Sequence, residues 1–180
     1  MLTGLRLPGL TSLSICSFIG EDIIREAYES RDTRGSAQLV ALHQETGNNL
    51  KHLSIPLFCP SDALAGFRTM LASTPHLSSL EISLLNSDTE DDEDECLSIC
   101  TAVLQDLRMV PCLESLTIRG RLMRISIPVV MMIAKRRSGT SGVVKLDQVV
   151  FKGVDRFSIE NQVKVHFEHF LEDGMQGALI

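Results

Sequence analysis

The sequence predicts an α/β fold: a solenoid of about five strand–helix units, with a parallel sheet on the concave face and helices on the convex face. Three observations predict it. The pattern Leu-x-x-Leu-x-Ile stands four times in the chain, starting at Leu10, Leu50, Leu77 and Leu113, with a weaker fifth copy from Leu146 through Val149 to Phe151. Successive copies start 27 to 40 residues apart, which leaves room for one helix and two connections. Within each copy apolar and polar residues alternate, as in Leu116-Thr117-Ile118-Arg119 and Leu80-Glu81-Ile82-Ser83, so only one side of each strand is apolar.

The segments between the copies have helical periodicity. Leu64, Phe67, Met70 and Leu71 form an apolar stripe after Ser61, whose hydroxyl suits a helix start. Leu97, Cys100, Val103, Leu104 and Leu107 form a second stripe. In "IPVVMMIAKRR" Pro128 falls in a first turn, and Lys135, Arg136 and Arg137 fall where the helix dipole favours cations. Ile159, Val163, Phe167, Phe170 and Leu171 make the last stripe, which Gly174 closes. The long first gap has room for two short helices, at Glu21–Glu29 and Gln38–Glu45, with a polar loop at Ser30–Ser36.

A strand–helix alternation implies parallel strands. A doubly wound sheet, covered on both sides, needs strands that are apolar throughout. The alternating strands instead call for helices on one side only. The rival reading is a small doubly wound α/β enzyme with a loop-borne site.

At 180 residues, 44% of them hydrophobic and 22% charged, the chain fits one soluble domain over residues 1–180. Its formal charge of −6 provides no general attraction for nucleic acid or for anionic membranes. No apolar run approaches the roughly 18 residues of a membrane span, and no secretory signal pattern is visible. The five cysteines, an odd number, point to reduced thiols in the cytoplasm or nucleus. No spacing completes a zinc site, so the cysteines read as small buried hydrophobes.

The repeated segments resemble the strand part of the leucine-rich repeat, and Cys16 after Ile15 matches its cysteine-containing variety. The irregular layout, and Ile127–Phe151 in particular, is similar to the C-terminal half of fungal F-box proteins. That resemblance implies a leucine-rich-repeat solenoid that recognises substrates for a ubiquitin ligase. The F-box that docks on the ligase scaffold has no counterpart before Leu10, so a scaffold partner is expected only in a longer form carrying one. The apolar opening, with Leu2, Leu5 and Leu7, suggests a fragment whose first strand lacks a cap.

The remaining motifs yield no chemistry. The acidic run Ser87–Glu95 places Glu93 where a calcium loop needs glycine and Ile99 where it needs glutamate. It reads as an acidic loop insert over residues 86–96. His166 and His169 match no metalloprotease spacing and fit the flank of an amphipathic helix. Ser138–Gly142 follows a helix and precedes a strand, the reverse of a phosphate-binding order. No catalytic, cofactor-binding or metal residues are identified, and the chain reads as a non-catalytic interaction domain with no cofactor.

On the concave face the residues between the inward leucines point to solvent. They begin with Ser12 and Ser14. The candidate partner-binding set then runs through His52 and Ser54, then Ser79, Glu81 and Ser83, then Ser115, Thr117 and Arg119, and finally Gln148 and Lys152. The expected partner is an unidentified protein. With small hydroxyls dominating and no Trp in the chain, this surface is expected to bind weakly by itself.

Overall fold

The computed structural model describes residues 9–14, 49–57, 63–84, 90–120, 127–139, 141–153 and 161–179. Among them are six strands: β1 (Ser12–Ser14), β2 (His52–Leu57), β3 (Ser79–Leu84), β4 (Ser115–Arg119), β5 (Gln148–Lys152) and β6 (Gln176–Leu179). Four helices are described: α1 (Ala63–Ala72), α2 (Glu90–Leu104), α3 (Ile127–Arg137) and α4 (Asn161–Glu172). The strands form one parallel sheet whose spatial order, β1 to β6, is the order of the chain. A doubly wound sheet reverses direction at a switch point. The described strands show no such reversal.

The alternation sets which residues are buried. Leu53, Leu80, Leu116 and Val149 are in register across four strands and all are buried, and Ile55, Ile82, Ile118 and Phe151 form a second buried row. Phe67, Leu71, Leu97, Leu104, Val129, Ile133, Val163 and Phe167 of the helices join them in one core. Each such side chain withdrawn from water contributes about 1.5–3 kcal/mol. Phe151 and Phe167 meet edge to face, with centroids 5.6 Å apart.

The recurrence of proline ahead of the pattern has a local cause. In Thr74-Pro75-His76-Leu77 the Leu77 N–H donates to the Thr74 carbonyl at 3.1 Å, and in Val110-Pro111-Cys112-Leu113 the Leu113 N–H donates to Val110 at 3.2 Å. Proline presets the second position of such a turn. The turn delivers Leu77 and Leu113, both fully buried, two residues before their strands. The residue after each leucine then bridges the units. Its carbonyl accepts two successive N–H groups from the next unit: Thr11 from Lys51 and His52, Lys51 from Ser78 and Ser79, Ser78 from Glu114 and Ser115, Glu114 from Asp147 and Gln148, all at 2.8–3.0 Å. The repeat seen in side chains is thus also a repeat of backbone bonds.

Two expectations need correction. The sheet has six strands where about five units were expected, because β6 follows the last helix. Gly177 of β6 aligns with Val149, where other strands place leucine, and Leu171 of α4 reaches to 3.0 Å of where its Cβ would stand. Leu171 is therefore partly exposed rather than a full member of the inner stripe. Second, residues 90–96 of the acidic run form the first turns of α2 and not a loop, as acidic residues near a helix N-terminus allow. Lys135, Arg136 and Arg137 form the last turn of α3 as expected, and Arg136 and Arg137 are in addition buried. The helices expected at Glu21–Glu29 and Gln38–Glu45, the apolar Leu2–Leu7 opening and the Ser61 cap lie outside the described residues. The end of α4 is as expected: Gly174 has φ of +80°, and Met175 and Gly174 donate to Phe170 and Leu171.

The two buried arginines tie units together. Arg136 Nε donates to the Leu104 carbonyl at the end of α2 (2.8 Å), and its Nη1 donates to Val110 in the following turn (3.1 Å). Lys135 Nζ donates to the Gln105 carbonyl at 3.0 Å. Arg137 faces the other neighbour, donating to the Leu146 carbonyl at 2.8 Å and to the Asp173 carboxylate at 2.7 Å. Burial lowers the Arg136 pKa to about 10, with nearby Asp106 opposing the shift, so the group stays charged near neutrality. Asp106 itself accepts from the Arg108 side chain and backbone and stands 3.7 Å from Arg68, which holds its carboxyl at about 2.

Replacing Arg136 with Met leaves the Leu104 and Val110 carbonyls without that donor, and should cost about 3 kcal/mol in urea unfolding. Arg136→Lys should recover little, since one ammonium cannot reproduce the planar fork. Gly153 has φ of +84°, and an added Cβ would collide with the Gly120 carbonyl oxygen. Gly153→Ala should therefore destabilise by about 2 kcal/mol, read as a lowered thermal midpoint. The depressed Asp106 pKa stabilises the fold above the ordinary carboxylate value near 4, and that stability is lost as pH falls toward about 2. Acid titration of Asp106→Asn should show a shallower loss of stability across that window than the parent chain.

Candidate functional site

The face of the sheet opposite the core has no buried residue among those described in its strands. Register arranges it as three lateral rows. The first runs Ser12, His52, Ser79, Ser115, Gln148 and Gln176. The second runs Ser14, Ser54, Glu81, Thr117 and Val150, with Ala178 at its end. The third runs Pro56, Ser83, Arg119 and Lys152. Neighbouring strands stand about 4.8 Å apart and successive rows about 7 Å. All ten candidate residues from His52 to Lys152 therefore share one surface.

Their electrostatics could not be read from spacing alone. Arg119 pairs with Glu81, diagonally across β3 and β4, and both side chains are partly exposed. Two residues that looked like independent contacts thus engage each other first. Lys152 stands in register with Arg119 on the next strand. The Ser115 hydroxyl donates to Gln148 Oε1 at 2.8 Å, and the Gln148 amide nitrogen, a donor, takes no part in that bond. Val150, half-buried, is the one aliphatic side chain described in the second row, an interruption that the sequence reading did not weigh.

His52 lies in register between Ser12 and Ser79, so imidazole and hydroxyls are on adjacent strands. A nucleophilic serine needs a hydrogen-bonded base, and that base needs an orienting carboxylate. Among the described residues Glu81 instead bonds Arg119, on the side away from β2. At the strand starts a shallow depression of about 290 Å³ is lined by Gly9, Thr11, Asn49, Lys51 and His76.

The other sequence motifs fall elsewhere. His166 and His169 are exposed on α4, and His169 Nδ1 lies 4.0 Å from Glu172. Among the described residues no group of His, Cys, Asp and Glu side chains could hold a metal ion. Burial pushes the Cys100 thiol up to about 12, consistent with a packed hydrophobe rather than a nucleophile. Ser138 is exposed, but Arg136 and Arg137 beside it are engaged in the core. No described helix is long and apolar enough to cross a membrane.

Comparison of the chain with protein-family models, with curated proteins and with solved structures gave no match.

Proposed function

We propose that the chain is a non-catalytic protein-interaction domain, a leucine-rich-repeat solenoid that binds a protein partner on the open face of its sheet. The observation that carries this reading is one-sidedness. Six parallel strands in chain order bury one face beneath helices and leave the other, with all ten candidate residues, accessible. Repeat architectures of this kind bind along such a face. The repeated turn and the shared carbonyl at each strand start support the solenoid reading independently of the leucine count.

The likeness of Ile127–Phe151 to fungal F-box proteins makes substrate recognition for a ubiquitin ligase the form we favour, with the ligase scaffold a partner only where an F-box accompanies these repeats. An intracellular location, cytoplasmic or nuclear, goes with that role. Nucleic acid and membranes are not the partners we propose, given the formal charge of −6.

The test uses proteins retained by the immobilised chain. Substituting Arg in place of Thr117, at the centre of the face, should abolish retention of a specific partner, because a long cation there blocks close approach. Exchanging the charges of Glu81 and Arg119 preserves their pairing while inverting the pattern, and should weaken the same partner about tenfold or more. Partner binding unchanged by both variants, with thermal midpoints equal to the parent, would place the interface elsewhere.

A further inference from the structure

Resting on the interaction reading above, we infer that the β4–β5 end of the open face is a carboxylate-binding subsite. Its occupant is an Asp or Glu side chain in an extended segment of the partner, seated over Arg119 and Lys152.

Two cations stand directly across from each other there, Arg119 on β4 and Lys152 on β5. Like charges at opposed positions of neighbouring strands repel. Glu81 relieves the Arg119 side, reaching it from β3. The Lys152 side chain, on the far side of Arg119, has no ion pair or hydrogen bond with any described residue, although its carbonyl accepts from the Gly120 N–H. Among the described residues, two cations and one carboxylate thus leave this corner of the face positive on a chain whose formal charge is −6.

The hydrogen-bonding groups along β5 add donors. Gln148 Oε1 already accepts from Ser115 while its amide nitrogen can donate, and Lys152 is donor only. A ligand that brings acceptors is therefore favoured along this strand. Between these donors lie Thr117 and Val150, in register and neither buried, as a short, partly apolar floor. From Gln148 to Lys152 is four residues, about 13 Å. An extended peptide running along β5 spans that length, placing a carboxylate at Lys152, an apolar side chain over Val150 and a backbone carbonyl at Gln148. A nucleic-acid strand fits less well, since Arg119 and Lys152 are the only two Lys or Arg cations among the described residues of this face and none of these residues is Phe, Tyr or Trp to stack a base.

The probe is a fluorescein-labelled octapeptide alternating Glu and Val, measured by anisotropy against its counterpart with Gln in place of Glu. The Glu peptide should bind at least about tenfold more tightly, and more weakly as salt rises from about 50 to about 300 mM. Lys152→Glu should remove that preference, whereas Lys164→Glu, an exposed change on α4, should leave it intact. No preference for Glu over Gln, an equal effect of the two lysine variants, or stronger binding of a single-stranded oligonucleotide overturns the inference. Should both peptides bind alike and both be lost in Thr117→Arg, the interaction face stands and only its taste for acid fails. If Thr117→Arg disturbs neither peptides nor partner, the interaction reading itself falls.

Discussion

A parallel sheet that keeps one face dry and the other wet is the constraint on which the rest of this structure depends. Parallel pairing requires a long return connection between neighbouring strands, and burying a single aliphatic face requires every return to pass on the same side. Strand order equal to chain order satisfies both. The price falls at the strand starts, where backbone groups of one unit need partners in the next. The shared carbonyls of Thr11, Lys51, Ser78 and Glu114 meet that need with the same pair of bonds each time. The leucines beside them, Leu50, Leu77 and Leu113 fully buried and Leu10 partly so, fix where the chain turns into the sheet.

What could be read from the sequence follows from this division. Strands β1 to β5 announce themselves because alternation is a local signal, and a strand buried on one face must alternate. The helical stripes and the Gly174 stop are equally local. β6 is silent because Gly177 occupies the position that elsewhere carries a leucine, and the space is filled by Leu171 from six residues earlier, a substitution that only the packing reveals. Basic residues at a helix end normally reach solvent, and nothing in "KRR" distinguishes a solvated cation from one folded back on a neighbour's carbonyls. The acidic stretch misleads for a related reason: it looks like a loop by charge density, yet a helix start tolerates carboxylates.

The candidate face was legible as a set of positions but not as a set of relations. Register, which depends on turn geometry across four units, decides that Glu81 answers Arg119 and that Lys152 lies beyond it. A surface that seemed a scatter of hydroxyls with one arginine acquires a direction, with Glu81 answering Arg119 and the Lys152 ammonium beyond them. Polarity of that sort favours discrimination over strength, because small hydroxyls supply little apolar area.

Arg136 and Arg137 stand side by side yet face opposite neighbours, one holding the close of α2 and the other the turn after α4 and the strand start at Leu146. Loosening either neighbour would strand a guanidinium in greasy surroundings, a penalty felt at once through the shared helix. Three consecutive units are therefore yoked, and this stretch of the array should melt as a block where a plain stack would peel unit by unit.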